Sequence, residues 1–296
     1  SIAGEHLLLL GPPGTGKSML AQRLKGAFKG ATYFERLLTR FSVPEELFGP
    51  LSVRALEEDR YQRKTEGYLP EAAIAFLDEI FKANSAILNA LLTLLNERAF
   101  DNDGARHKAP LISVIGASNE LPEGEELDAL YDRFLLRLFV GPVSDDGVDA
   151  LMDLKGGQAT GSVPEALQLT AGSLAELQSA SRTVSLSEDL RDLLKDLRGF
   201  LRTEGIGFSD RRLRKVVELL QIAAHTDGRD TASVWDAWLV QHCAWEDPSQ
   251  RRVVRDWWAA RVGTPRISPA AAPGDDVARP GIRGGHGSIC RLELEC

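Results

Sequence analysis

Gly11-Pro12-Pro13-Gly14-Thr15-Gly16-Lys17-Ser18 lies between an apolar run, His6 to Leu10, and a helical pattern over Met19 to Phe28 in which Leu20, Leu24 and Phe28 recur four residues apart. This is the G-x-x-x-x-G-K-[ST] spacing of a phosphate-binding loop, in the strand-to-helix context that the motif requires. The glycines let backbone N–H groups approach phosphate oxygens, and the helix N-terminus adds its partial positive charge. Lys17 reaches the outer phosphates and Ser18 can ligate Mg²⁺. A turn that merely joins strand to helix would not need all four constrained positions. The stretch therefore predicts a nucleoside triphosphate site held by Gly11, Pro12, Pro13, Gly14, Thr15, Gly16, Lys17 and Ser18.

Outward from this loop, strand-like apolar runs recur at His6 to Leu10, Ala31 to Leu38, Ala73 to Leu77, Leu111 to Gly116 and Phe134 to Val140. They alternate with helical stretches such as Ser85 to Glu97, the pattern of an α/β fold with a parallel sheet. From about Ser144 helical patterns take over: Leu174 to Ala180, Ser187 to Arg202, Asp210 to His225, Ser233 to Ala244 and Ser249 to Arg261. Ser185 with Glu188 has capping-box spacing, and Ser209 is placed as an N-cap. Past Gly263, Pro, Gly, Ala and Arg dominate without periodicity. We expect an α/β core over 1–143, a small all-α domain over 144–262 and a disordered tail over 263–296. Two segments interrupt the alternation. Arg60 to Pro70 reads as a hairpin or loop, and Asn96 to Pro110 as a hairpin turning at Asp103-Gly104.

Ile74-Ala75-Phe76-Leu77-Asp78-Glu79 is an apolar strand ending in two carboxylates. After a phosphate loop, Asp78 is placed to hold the Mg²⁺ shell and Glu79 to orient and polarise the attacking water. Val114 to Asn119 delivers an amide at the end of another buried strand. Ligand groups gather at the carboxyl ends of parallel strands, so Asn119 either positions the water or simply terminates the strand in a turn.

The 296 residues are 43% hydrophobic, enough for a substantial core. A net charge of −8 argues against broad, field-driven nucleic-acid binding. Cys243, Cys290 and Cys296 show no disulfide framework, which suits a reducing compartment, and no apolar run approaches the roughly 20 residues of a membrane span. Cytoplasm without membrane insertion is the expectation. His6, His107, His225, His242 and His286 lie at no metal-ligand spacing. Trp235, Trp238, Trp245, Trp257 and Trp258 are expected to pack a core, with Trp257 and Trp258 as candidates for a partner surface.

Taken in order, the phosphate loop, Thr39-Arg40-Phe41-Ser42-Val43-Pro44-Glu45-Glu46-Leu47-Phe48-Gly49-Pro50-Leu51, Gly67-Tyr68-Leu69-Pro70-Glu71-Ala72, Phe76-Leu77-Asp78-Glu79-Ile80, Ala117-Ser118-Asn119-Glu120-Leu121-Pro122 and Leu130-Tyr131-Asp132-Arg133 resemble an AAA+ ATPase of the MoxR family, most closely its RavA-type branch. The match spans roughly residues 3 to 245. It implies ATP and Mg²⁺ as cofactors, a P-loop core followed by a helical lid, a hexameric ring that remodels protein clients, and a partner with a von Willebrand factor A domain. By the same resemblance Arg133 is an arginine finger acting on a neighbour's ATP, with an Asp132–Arg133 ion pair as the plainer reading. Arg211, or failing it Arg212, is the second sensor of phosphate; both also suit a solvated helix face. The two inserted segments resemble the helix-2 insert and the pre-sensor hairpin. The chain starts only ten residues before Gly11, whereas family members carry an upstream segment at the base pocket, and no further C-terminal domain is recognisable. A nucleotide-binding regulatory fragment with little turnover is the alternative.

Overall fold

The computed structural model describes residues 1–153 and 163–262. Nine strands lie among them: β1 Leu7–Leu10, β2 Tyr33–Leu37, β3 Ile74–Asp78, β4 Ala99–Asn102, β5 Ala105–Lys108, β6 Ser113–Ser118, β7 Leu136–Phe139, β8 Ser185–Leu186 and β9 Thr231–Ala232. The α-helices are α1 Lys17–Lys25, α2 Pro44–Phe48, α3 Val53–Leu56, α4 Ser85–Glu97, α5 Glu125–Tyr131, α6 Asp145–Met152, α7 Ala171–Ser181, α8 Glu188–Thr203, α9 Asp210–Thr226 and α10 Gln250–Val262. The expected tail over 263–296, with Cys290, Cys296 and His286, falls outside the described residues.

The five expected core strands form one parallel sheet in the order β2-β3-β6-β1-β7. Parallel strands buried on both faces read as continuous apolar runs, and β1, Leu-Leu-Leu-Leu, is the clearest case. Register aligns Leu10 with Ser118 and Phe139, Leu77 with Gly116, and Leu37 with Asp78, so the carboxyl ends of these strands share one edge.

Helix α4 has the predicted bounds because three signals agree. Asn84 caps it by accepting from the Ile87 N–H at 3.2 Å, Ile87, Leu88, Leu91, Leu94 and Leu95 make one buried face, and Arg98 ends it in a left-handed conformation. Helix α1 departs from the expectation. It stops at Lys25, so Phe28 lies outside it, and its buried face is Lys17 and Ala21 while Leu20 is exposed. Four-residue spacing found the helix and misjudged its face, because the sheet covers the side carrying the phosphate-loop lysine.

The later helices pack onto the same hydrophobic core as the sheet, Leu197, Val216, Leu220 and Trp245 joining Leu8 and Phe134. Ser209 caps α9 as expected, whereas Ser187 rather than Ser185 caps α8, since Ser185 is taken into a two-residue parallel pairing of β8 with β9. Val234–His242 is a 3-10 rather than an α-helix. Trp245 and Trp257 are buried, but Trp235 and Trp238 are exposed, so the sequence placed the surface tryptophans on the wrong pair.

Candidate nucleotide site

Strand β1 ends where the phosphate loop begins, and its neighbours fix the loop's first residue. Gly11 donates its N–H to the Ser118 carbonyl at 3.1 Å, and a side chain there would have its Cβ 2.1 Å from the Val140 carbonyl oxygen. Its φ of 149° excludes other residues independently. The Thr15 hydroxyl donates to the Pro12 carbonyl at 3.0 Å, and the Lys17 ammonium donates to the carbonyls of Gly11 (2.9 Å) and Pro12 (2.8 Å). Lys17 is thus buried across the loop, with the free N–H groups of α1 beginning at the same residue.

Asp78 closes β3 and accepts the Glu79 N–H at 3.0 Å through Oδ1. Glu79 adopts a left-handed conformation, φ 52°, uncommon for a residue with a Cβ, where the chain turns out of β3. Its Oε2 is buried and accepts no hydrogen bond, although the Lys82 ammonium lies 3.3 Å away as an ion pair. Sequence reasoning missed Lys82; its place three residues past Glu79 was the available signal. Asn119 follows Ser118 at the end of β6, between β3 and β1, and is exposed. The register therefore brings the phosphate loop, Asp78, Glu79 and Asn119 to one edge of the sheet. The Ser18 hydroxyl and the Asp78 carboxylate offer the hard oxygen donors that Mg²⁺ takes, and Asp78 Oδ2 has no partner among the described residues, so this pair fits the ion.

The arginines lie elsewhere. Arg133 directly precedes Phe134 and Leu135 at the amino end of β7, 3.6 Å from Asp132, with its Nε buried and unpartnered among the described residues. Burial first, and then the neighbouring Arg211, pull its pKa below the ordinary value. Arg211 donates to Asn96 at the far end of α4 at 2.7 Å. Arg212 is 3% exposed and wholly engaged: Nε reaches the Cys243 carbonyl at 2.6 Å, and the remaining nitrogens reach Phe134, Leu135 and Asp132. Neither Arg133 nor Arg211 is brought to the phosphate loop of its own chain.

No group of three or more His, Cys, Asp or Glu suited to a metal occurs among the described residues, and no described helix is long and apolar enough to cross a membrane.

Residues 1–179 match the family profile described as the MoxR domain in the MoxR-vWA-beta-propeller ternary systems, and residues 189–258 match an AAA lid domain. Two uncharacterized proteins of Methanocaldococcus jannaschii are each 43% identical over 251 residues, covering 84% and 83% of this chain. The chain spans 65% and 63% of the length of these curated relatives. The crystal structure of a proposed ATPase from Cytophaga hutchinsonii superposes with a TM-score of 0.67 at 17% identity, covering 88% of this chain and 86% of that one, which shows a shared fold.

Proposed function

The chain belongs to the MoxR family of AAA+ ATPases, and from that premise we propose that it is a Mg²⁺-dependent ATPase that assembles into a hexameric ring in the cytoplasm and remodels client proteins. The observation that carries this reading is the convergence of Lys17, Asp78, Glu79 and Asn119 at the carboxyl ends of three adjacent strands. We assign the ATPase core to 1–143, the lid to 144–262 and the tail to 263–296. A partner with a von Willebrand factor A domain is proposed because the matching family description names such systems. The RavA-type placement is supported by the stretches Thr39 to Leu51 and Gly67 to Ala72.

In this mechanism the phosphate-loop N–H groups and Lys17 bind and orient the triphosphate. Ser18 and Asp78 would hold Mg²⁺, which neutralises phosphate charge. Glu79, once turned from Lys82, accepts a hydrogen bond from the attacking water and takes its proton, while Asn119 fixes that water's position. The Glu79–Lys82 ion pair also favours a second reading, a nucleotide-binding module with little turnover, because it occupies the carboxylate that hydrolysis needs.

Titration with a fluorescent ATP analogue and steady-state ATPase assays test the roles together. Lys17→Ala should nearly abolish binding, whereas Glu79→Gln should bind normally and lose most turnover. Equal loss of binding in both variants would overturn the assignment, and a wild-type chain that binds without turning over would favour the second reading.

A further inference from the structure

Phe41 is 91% exposed, which is unusual for a ring on a turn so firmly built. The Thr39 N–H donates to the Ser42 hydroxyl at 3.0 Å, the Phe41 N–H to the Thr39 hydroxyl at 3.2 Å, and the Ser42 carbonyl accepts from the Asn84 side chain at 2.7 Å. Leu37 and Val43 extend the apolar surface, and the adjacent Arg40 is exposed and makes no ion pair among the described residues. The turn is also tied to the hydrolytic edge, since Leu38 donates to the Asp78 carbonyl at 2.9 Å and Asn84 lies five residues past Glu79.

A cavity of about 450 Å³ opens elsewhere, between α5 and the lid. Tyr131 and Leu121 give it apolar surface, while Asp128, Asp132, Glu246 and Asp247 make its charge predominantly acidic. Arg212 and Arg137 also line it, but their charges are committed: Arg212 to carbonyls and Asp132, and Arg137 to the Tyr131 ring, 3.6 Å from its centroid, and to the carbonyls of Trp245 and Tyr131. Asp128, Glu246 and Asp247 take part in no ion pair among the described residues.

We infer that the Arg40-Phe41 turn of one copy docks into this cavity of the next copy, Phe41 against Tyr131 and Leu121 and Arg40 against Asp128. The occupant is a second copy of this chain because the two surfaces are complementary in charge and each borders one half of the proposed reaction site. The turn borders Glu79, and Asp132 in the cavity wall is followed by Arg133. Docking the two therefore carries the finger of one copy toward the carboxylate of the other. A contact between unlike surfaces is head-to-tail and generates a ring or a filament. The inference rests on the ring-forming reading above and names its contact.

Sedimentation of the full chain with ATP tests it, using Phe41→Ala, Arg40→Asp, Asp128→Arg and the double variant Arg40→Asp/Asp128→Arg. Asp128 is exposed and its carboxylate makes no hydrogen bond or ion pair among the described residues, so its replacement should leave the fold intact. Each single change should weaken association at least about tenfold, and the double variant should recover most of it. Titration of each with a fluorescent ATP analogue should show unchanged single-chain affinity, since none touches the phosphate loop. Single variants that assemble like the wild type would leave the cavity to a segment of another protein and overturn the inference. So would a double variant as impaired as its worse parent, or a wild-type chain that never assembles; normal nucleotide binding and turnover would then preserve the ATPase reading.

Discussion

His6 directly precedes β1, the strand that leads into the phosphate loop, and its ring is buried. Nδ1 accepts the Val114 N–H at 3.0 Å and Nε2 faces the Leu95 carbonyl at 3.2 Å, which fixes the neutral tautomer with its proton on Nε2. Burial, and after it the Arg98 charge, pushes the pKa down from 6.5 to about 3. Between these two values the unfolded chain binds a proton that the folded chain refuses, so stability is full above about pH 6.5 and falls as pH drops toward 3. At pH 5 the loss from this one ring is about 2 kcal/mol relative to pH 7. Urea unfolding at both pH values checks it: His6→Gln should be less stable at pH 7 yet show a pH difference smaller by about that amount. An unchanged pH difference would mean that other groups take up the proton.

Helix α9 sets two adjacent arginines to opposite tasks. Ser209 caps it by accepting the Arg212 N–H at 3.1 Å, and the helical turn then sends Arg212 inward to four partners and Arg211 outward to Asn96. Arg212→Ala leaves the carbonyls of Cys243, Phe134 and Leu135 without a donor and should cost about 3–5 kcal/mol, whereas Arg211→Ala should change stability by no more than about 0.5 kcal/mol. Thermal unfolding of the two variants checks this, and similar losses in both would show that Arg212 is not the clamp. The sequence could not separate these neighbours, because both follow the same cap and only the packing of the lid decides which is buried. It did reveal the sheet strands, most plainly β1 and β3, whose apolar runs are the least broken, and the hairpin of β4 and β5, whose Asp103 and Gly104 both take the positive φ of a tight turn. Hidden from it was that the two inserted segments form one unit. Asn102 exchanges hydrogen bonds with the Arg63 backbone at 2.7 and 3.1 Å, and Arg60 pairs with Asp103 at 2.9 Å, contacts 39 and 43 residues apart. The proposed catalytic residues were legible for a related reason: each follows an apolar strand directly, so its position on the sheet edge is set by strand register alone. Lys82 and the arginines depend on helices and on the lid, where register gives no such guide.

At the scale of the molecule, the phosphate loop and Arg133 lie at opposite edges of one sheet. Lys17 follows the carboxyl end of β1, Arg133 precedes the amino end of β7, and the two strands pair in parallel from Leu7 with Leu136 to Leu10 with Phe139. A four-residue strand alone separates these edges by about 13 Å, beyond what one arginine side chain closes. If Arg133 stabilises charge on a triphosphate, that triphosphate belongs to another chain. Arg133→Ala should then bind ATP almost normally and hydrolyse it about 10³-fold more slowly, the share usually carried by an arginine finger. Glu79→Gln should be as inactive for a different reason. Mixing equal amounts of the two should restore activity, because random assembly puts an intact Glu79 beside an intact Arg133 at about a quarter of interfaces. Steady-state ATPase assays on mixtures whose subunits exchange, verified by transfer between fluorescently labelled chains, read the outcome. Recovery toward about a quarter of the wild-type rate supports action across the interface, while an exchanging mixture that stays inactive, or full activity of Arg133→Ala alone, leaves Arg133 as the ion-pair partner of Asp132.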